Sequence, residues 1–143
     1  MKVSFPGGKR VDVDLGGFTL HTDQPPDAGG EGTAADPFSL FLGSLAACAG
    51  LYVLGFCQAR KIPTAGLGLA LTHERDPVSK RLTRVCLAIE LPPAFPPQYL
   101  EAVKNAAAHC AVKRALLDPP EFVTDASILE GKAPERRPSP PAA

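Results

Sequence analysis

This sequence has no excess of charge and no long run of either sign, since 15 Lys and Arg are matched by 15 Asp and Glu. That removes the basic footprint expected of a protein that binds nucleic acid or an anionic membrane surface. No leader segment is expected either. Met1 to Leu15 mixes charged and apolar residues, without a continuous apolar stretch behind basic ones, so the chain is expected to stay in the cytoplasm. Four cysteines are too few to build a disulfide scaffold of this length, and none shows C-x-x-C or zinc-knuckle spacing. His21, His73 and His109 are scattered, so neither a metal nor another cofactor is expected. In a reducing compartment the cysteines remain as catalytic, metal-bound or simply buried thiols.

What is present fits one domain over residues 1–130, followed by a Pro-rich polar end, 131–143 (GKAPERRPSPPAA), that reads as a disordered tail. Val3 and Phe5, then Val11, Val13 and Leu15, then Phe18 and Leu20 alternate with polar neighbours. Gly7-Gly8 and Gly16-Gly17 supply the turns of an N-terminal meander. Pro25 to Asp36 is a Gly- and Pro-rich loop. Asp36-Pro37 then offers an N-cap and a first-turn proline for a helix that ends near Arg60-Lys61, before Pro63.

Pro37 to Ala59 carries no charge and is long enough to span a bilayer, but its many small residues (Gly43, Ser44, Ala46, Ala47, Gly50, Gly55) favour a fully buried central helix. Alternation through Leu67, Leu69 and Leu71, and again from Leu82 to Leu91, predicts a hairpin turning at Asp76-Pro77. Gln98 to Ala108 and Ala111 to Leu117 have helical spacing, and Phe122 to Leu129 reads as a last strand. The fold class is therefore α+β. A chain this short cannot cover the central helix on every side, which predicts a homodimer with two long helices between its sheets.

Cys48 sits mid-helix among Ala47, Ala49 and Gly50, small neighbours that let a substrate approach its sulfur; the same setting suits a packed core thiol. Burial in an apolar helix is expected to raise its pKa. Cys57, nine residues on, projects from nearly the opposite face about 13 Å along the axis, so it cannot bond Cys48 and reads as core filler, as does Cys86 in its strand. Cys110 opens a short helix, where free N–H groups and Lys113 and Arg114 are expected to lower a thiol pKa, although a helix-junction packing residue fits equally well.

Two stretches carry a resemblance. Pro37, Leu40 and Cys48 follow P-x-x-L-x-x-x-x-x-x-x-C, and Cys110 to Leu116 reads C-A-V-K-R-A-L beside a motif usually written C-P-V-x-x-x-L. With the order of elements, this resembles the OsmC/Ohr family from Met1 to about Leu129. The resemblance implies an intertwined homodimer, two β-sheets wrapping two central helices, with active sites at the subunit interface. It implies that Cys48 is the peroxidatic thiol and Cys110 the resolving one, that an organic hydroperoxide is the substrate, and that a lipoylated or thioredoxin-like dithiol is the reductant. Its best-known members hold the thiolate with a glutamate just after the helix proline and an early-strand arginine. This chain has Phe38 there, leaving Glu31 and Arg10 as candidate supporting residues. A protein that binds an apolar ligand at the interface, with Cys48 a bystander, is the alternative.

Overall fold

The computed structural model describes residues 1–128, so Leu129 and the expected tail at 131–143 lie outside the described residues. Three short strands, β1 (Lys2–Gly7), β2 (Arg10–Asp14) and β3 (Thr19–Thr22), form an antiparallel sheet in that order. The register pairs Val3 with Val13 and Val13 with Leu20, and Gly7, Gly8, Gly16 and Gly17 take the positive φ that both turns require. This sheet buries little within its own chain: every residue of β1 is exposed, Phe5 included, and so is Phe18 just before β3.

The loop to the long helix is folded around one carboxylate. Asp23 is buried and accepts hydrogen bonds from the N–H groups of Gln24, Glu31 and Thr33 and from the Thr33 hydroxyl. Those donors, Thr33 first, hold its pKa down to about 2 despite the opposing effect of burial.

Helix α1 runs from Pro37 to Ala59. Asp36 caps it, accepting from the N–H groups of Phe38 and Ser39 and from the Ser39 hydroxyl, and Pro37 at the first position loses no hydrogen bond. Replacing Asp36 by Ala removes these acceptors from the exposed first turn; thermal unfolding followed by circular dichroism should shift down by roughly 2–8 °C.

One face of α1 is core: Leu42, Leu45, Ala49, Val53 and Cys57 recur at helical spacing and are buried with Ile62, Phe95, Val103, Ala107 and Cys110. Against that face pack α2 (Leu100–Ala108), α3 (Ala111–Leu117) and the hairpin β4–β5 (Gly68–Arg75, Leu82–Glu90). Leu69, Leu71, Leu87 and Ile89 bring the hairpin onto the core. Cys86 instead points to the other sheet face opposite Thr72, half-buried and outside the core, which corrects its reading as core filler; Cys57 is fully buried there.

The opposite face of α1 is uncovered within the chain. Gly43, Ala47, Leu51 and Gly55 are exposed, so the expected fully buried helix is buried on one side only. With a mean hydropathy of 2.0, α1 is long and apolar enough by composition to cross a membrane.

The last predicted strand is also corrected. Residues 121–128 form no strand, and Phe122, Val123 and Ile128 are almost wholly exposed. Their apolar pattern is real, but a strand exists only where a neighbouring edge accepts its hydrogen bonds.

Candidate functional site

Cys48 and Cys110 come from elements far apart in sequence and meet where α3 begins beside the middle of α1. Cys48 sits one residue off the buried stripe of α1, which leaves its thiol half-buried. Cys110 is the N-cap of α3, and its sulfur accepts from the Lys113 N–H at 3.4 Å. The same sulfur lies 3.8 Å from the Leu45 carbonyl of α1, and only 2 % of the residue is exposed.

The two thiols are driven in opposite directions. The Val112 N–H, a hydrogen bond from Cys110, the Ala111 N–H and the Arg114 guanidinium together hold the Cys48 pKa below that of an ordinary thiol, against a smaller cost of burial. Burial dominates at Cys110 and pushes its pKa up, helped by the neighbouring Cys48 charge and only partly offset by the Lys113 amide. This reverses the sequence expectation for both residues. The first-turn amides of α3 do stabilise a thiolate, but mostly the one projecting from α1, because Cys110 itself is sunk into the core. Cys48 therefore ionises first, and Cys110 keeps its proton to higher pH.

Ala111 stands where the usual motif has proline, and it supplies an N–H that proline lacks. It occupies the first position of α3, and the preceding Cys110 has ψ 117°, a conformation that proline accepts in its neighbour. Ala111→Pro should leave α3 intact and raise the pH at which Cys48 becomes alkylated by iodoacetamide, as read from the pH dependence of its rate.

Arg10 and Glu31 lie elsewhere in the chain. The Arg10 Nε donates to the Gly7 carbonyl at 3.4 Å within the β1–β2 turn, and the Glu31 N–H donates to Asp23. Neither is among the groups acting on Cys48 within one chain; the cation that is, Arg114, had been read beside Cys110 only. Phe38, in the place of the usual glutamate, lies under the Arg75 guanidinium, 3.9 Å from its ring centre, and edge-on to His73. At the other flank of the thiols, Tyr52 and His109 place their rings 6.3 Å apart. No cluster of three or more metal-binding side chains occurs among the described residues.

A cavity of about 380 Å³ opens beside the pair, walled by Leu45 and Ala49 of α1, Leu71, Leu87 and Ile89 of the hairpin, and Ala107 of α2. It borders Cys110 and not Cys48, and Lys104 and Lys113 are the charged residues on its wall.

Comparison with known proteins agrees with this architecture. The structure of a Psychrobacter arcticus protein named for osmotic stress induction and detoxification response superposes with a TM-score of 0.69 at 26% identity, covering 80% of this chain and 85% of the other. A Legionella pneumophila organic hydroperoxide resistance protein, OsmC, superposes with a TM-score of 0.52 at 21% identity and the same coverage, a likeness of fold. No curated protein matches. The OsmC-like protein family matches residues 30–125, a span that takes in the Asp23 loop's end, all of α1 and both cysteines, and the chain belongs to that family.

Proposed function

We propose that the protein is a homodimeric thiol peroxidase that reduces organic hydroperoxides through Cys48 and Cys110. The observation that carries this reading is the meeting of two thiols from distant elements, half-buried Cys48 of α1 and buried Cys110 at the start of α3. Cys48 is held toward the thiolate that attacks, and Cys110, pushed toward its neutral form, does not compete for the peroxide. The Cys48 thiolate attacks the terminal peroxide oxygen, the O–O bond breaks, and the alkoxide takes a proton to leave as alcohol. Cys48 is then a sulfenic acid. Cys110 loses its proton, attacks that sulfur and expels water, giving a Cys48–Cys110 disulfide. An external dithiol, lipoylated or thioredoxin-like, returns the two electrons.

A second copy of the chain fits the surface left open. The uncharged outer face of α1, the exposed apolar residues of β1 and the unpaired segment at 122–128 are what an intertwined dimer would cover, giving the two long helices sheets on both sides. Arg10 and Glu31 reach a thiol, in this reading, only through the partner. The balanced charge speaks against nucleic acid or a membrane as partner and suits a cytoplasmic enzyme.

The test is to mix fully reduced protein with one equivalent of cumene hydroperoxide and follow both cysteines by peptide mass spectrometry, with sedimentation for the dimer. A Cys48–Cys110 disulfide forming within seconds is expected. Unchanged thiols after many minutes would overturn the peroxidase and favour a family member that binds an apolar ligand without chemistry.

A further inference from the structure

The cavity beside Cys110 has no part in the attack on peroxide as written above. Cys110, only 2 % exposed, stands on its wall, and Cys48, the half-buried thiol, does not. Its volume of about 380 Å³ falls within the range of small-molecule sites, about 300–1,000 Å³. The lining is aliphatic from Leu71 to Ile89, and Val85 and Leu116, both substantially exposed, stand at the side open to solvent. Lys104 is engaged by Glu101 at 2.8 Å, whereas Lys113 has no ion-pair partner among the described residues.

We infer that this cavity is the entry for the reductant, a dithiol carried on a short aliphatic chain, which attacks the oxidised pair at the Cys110 sulfur. The inference rests on the two-cysteine reading and adds to it the sulfur attacked and the route taken. Thiol–disulfide exchange requires the incoming sulfur, the attacked sulfur and the leaving sulfur to stand nearly in line, so a nucleophile arriving through a cavity that borders Cys110 alone expels Cys48. Cys48 is also the better leaving group, because the α3 amides receive its charge as the bond breaks. Lys113 on the wall favours the incoming thiolate over its neutral form.

The electrons balance. One reductant thiolate bonds to Cys110, the S–S bond breaks, and Cys48 departs as thiolate. The reductant's second thiol, losing its proton, then attacks its own bound sulfur and closes a cyclic disulfide. Cys110 leaves as thiolate and takes up a proton. Peroxide and reductant thus use different sides of one sulfur pair.

The experiment begins with the disulfide form, prepared with one equivalent of cumene hydroperoxide and, in parallel, with diamide. If only diamide yields it, the peroxidase reading has failed, and the diamide product still decides the route. The disulfide form is treated with the monothiol 6-mercaptohexanol, quenched in acid and digested; the adduct is expected on Cys110, and an adduct mainly on Cys48 overturns the inference. Val85→Phe then narrows the opening on an exposed strand position. Re-reduction by dihydrolipoamide should slow roughly tenfold, the order produced by excluding a methylene or two from an apolar pocket, with a smaller change for dithiothreitol. Equal effects on both reductants, in a variant whose melting matches the parent, would also overturn it.

Discussion

Cys48→Ser should consume no hydroperoxide above background, a loss of about a thousandfold or more, as expected when a nucleophile is removed from a reaction it begins. A serine hydroxyl cannot be ionised by two amides and an exposed arginine, and oxygen does not follow sulfur into a sulfenic acid. Cys110→Ser should behave differently: one equivalent of peroxide is reduced at near the parent rate, and turnover stops at a Cys48 sulfenic acid that dimedone labels. Stopped-flow consumption assays with intact mass spectrometry separate the two. If both variants turn over like the parent, the pair is not the active site. The pH dependence of the first turnover follows from the same ionisation. The rate rises as Cys48 loses its proton, does so below the ordinary thiol range, and levels off above that midpoint.

Gly30→Ala should be the most damaging glycine-to-alanine change among the described residues. A Cβ at that position would lie 1.9 Å from the Gln24 carbonyl oxygen, 2.5 Å from its carbon and 2.8 Å from Asp23 Oδ1, so the loop must move its own backbone to admit it. The movement undoes the four hydrogen bonds that end on Asp23, and a cost of about 3 kcal/mol is expected from urea unfolding. The carboxylate adds a pH signature. Because its folded pKa is lowered to about 2, its contribution is fully present above the unfolded value near 4 and is lost as pH falls from about 4 towards 2. Asp23→Asn should flatten that part of the acid-unfolding curve; an unchanged curve would mean that the loop does not depend on the charge.

The long helix was legible in the sequence to within a residue or two, because its boundaries are chemical: an aspartate followed by proline at the start, and cations and Pro63 at the end. The β4–β5 hairpin was legible for a similar reason, since alternation over eight or nine residues leaves little choice of period. Residues 122–128 of the expected last strand form none, because alternation records a preference for a sheet without naming the sheet. At the site, the residues with reactive atoms could be found from the paired motifs. The groups that decide which thiol ionises could not. Two are backbone amides, identical at every position but proline, and their aim depends on where α3 meets α1. The burial that raises the Cys110 pKa comes from α1 packing across it, a contact with Leu45 spanning 65 residues of sequence.

The first three amides of α3 serve both sulfurs, Ala111 and Val112 acting on Cys48 and Lys113 on Cys110. Such a bond is reciprocal: whatever the helix contributes to the thiolate, the thiolate returns to the helix. A seven-residue helix has little else to hold its first turn together. Oxidation of Cys48 removes the negative charge those donors surround, and a neutral disulfide accepts hydrogen bonds poorly. The start of α3 should then open more often, and its amide protons should exchange faster in the oxidised protein than in the reduced one. The oxidation state of one sulfur thereby becomes a local stability, legible in the backbone several residues away.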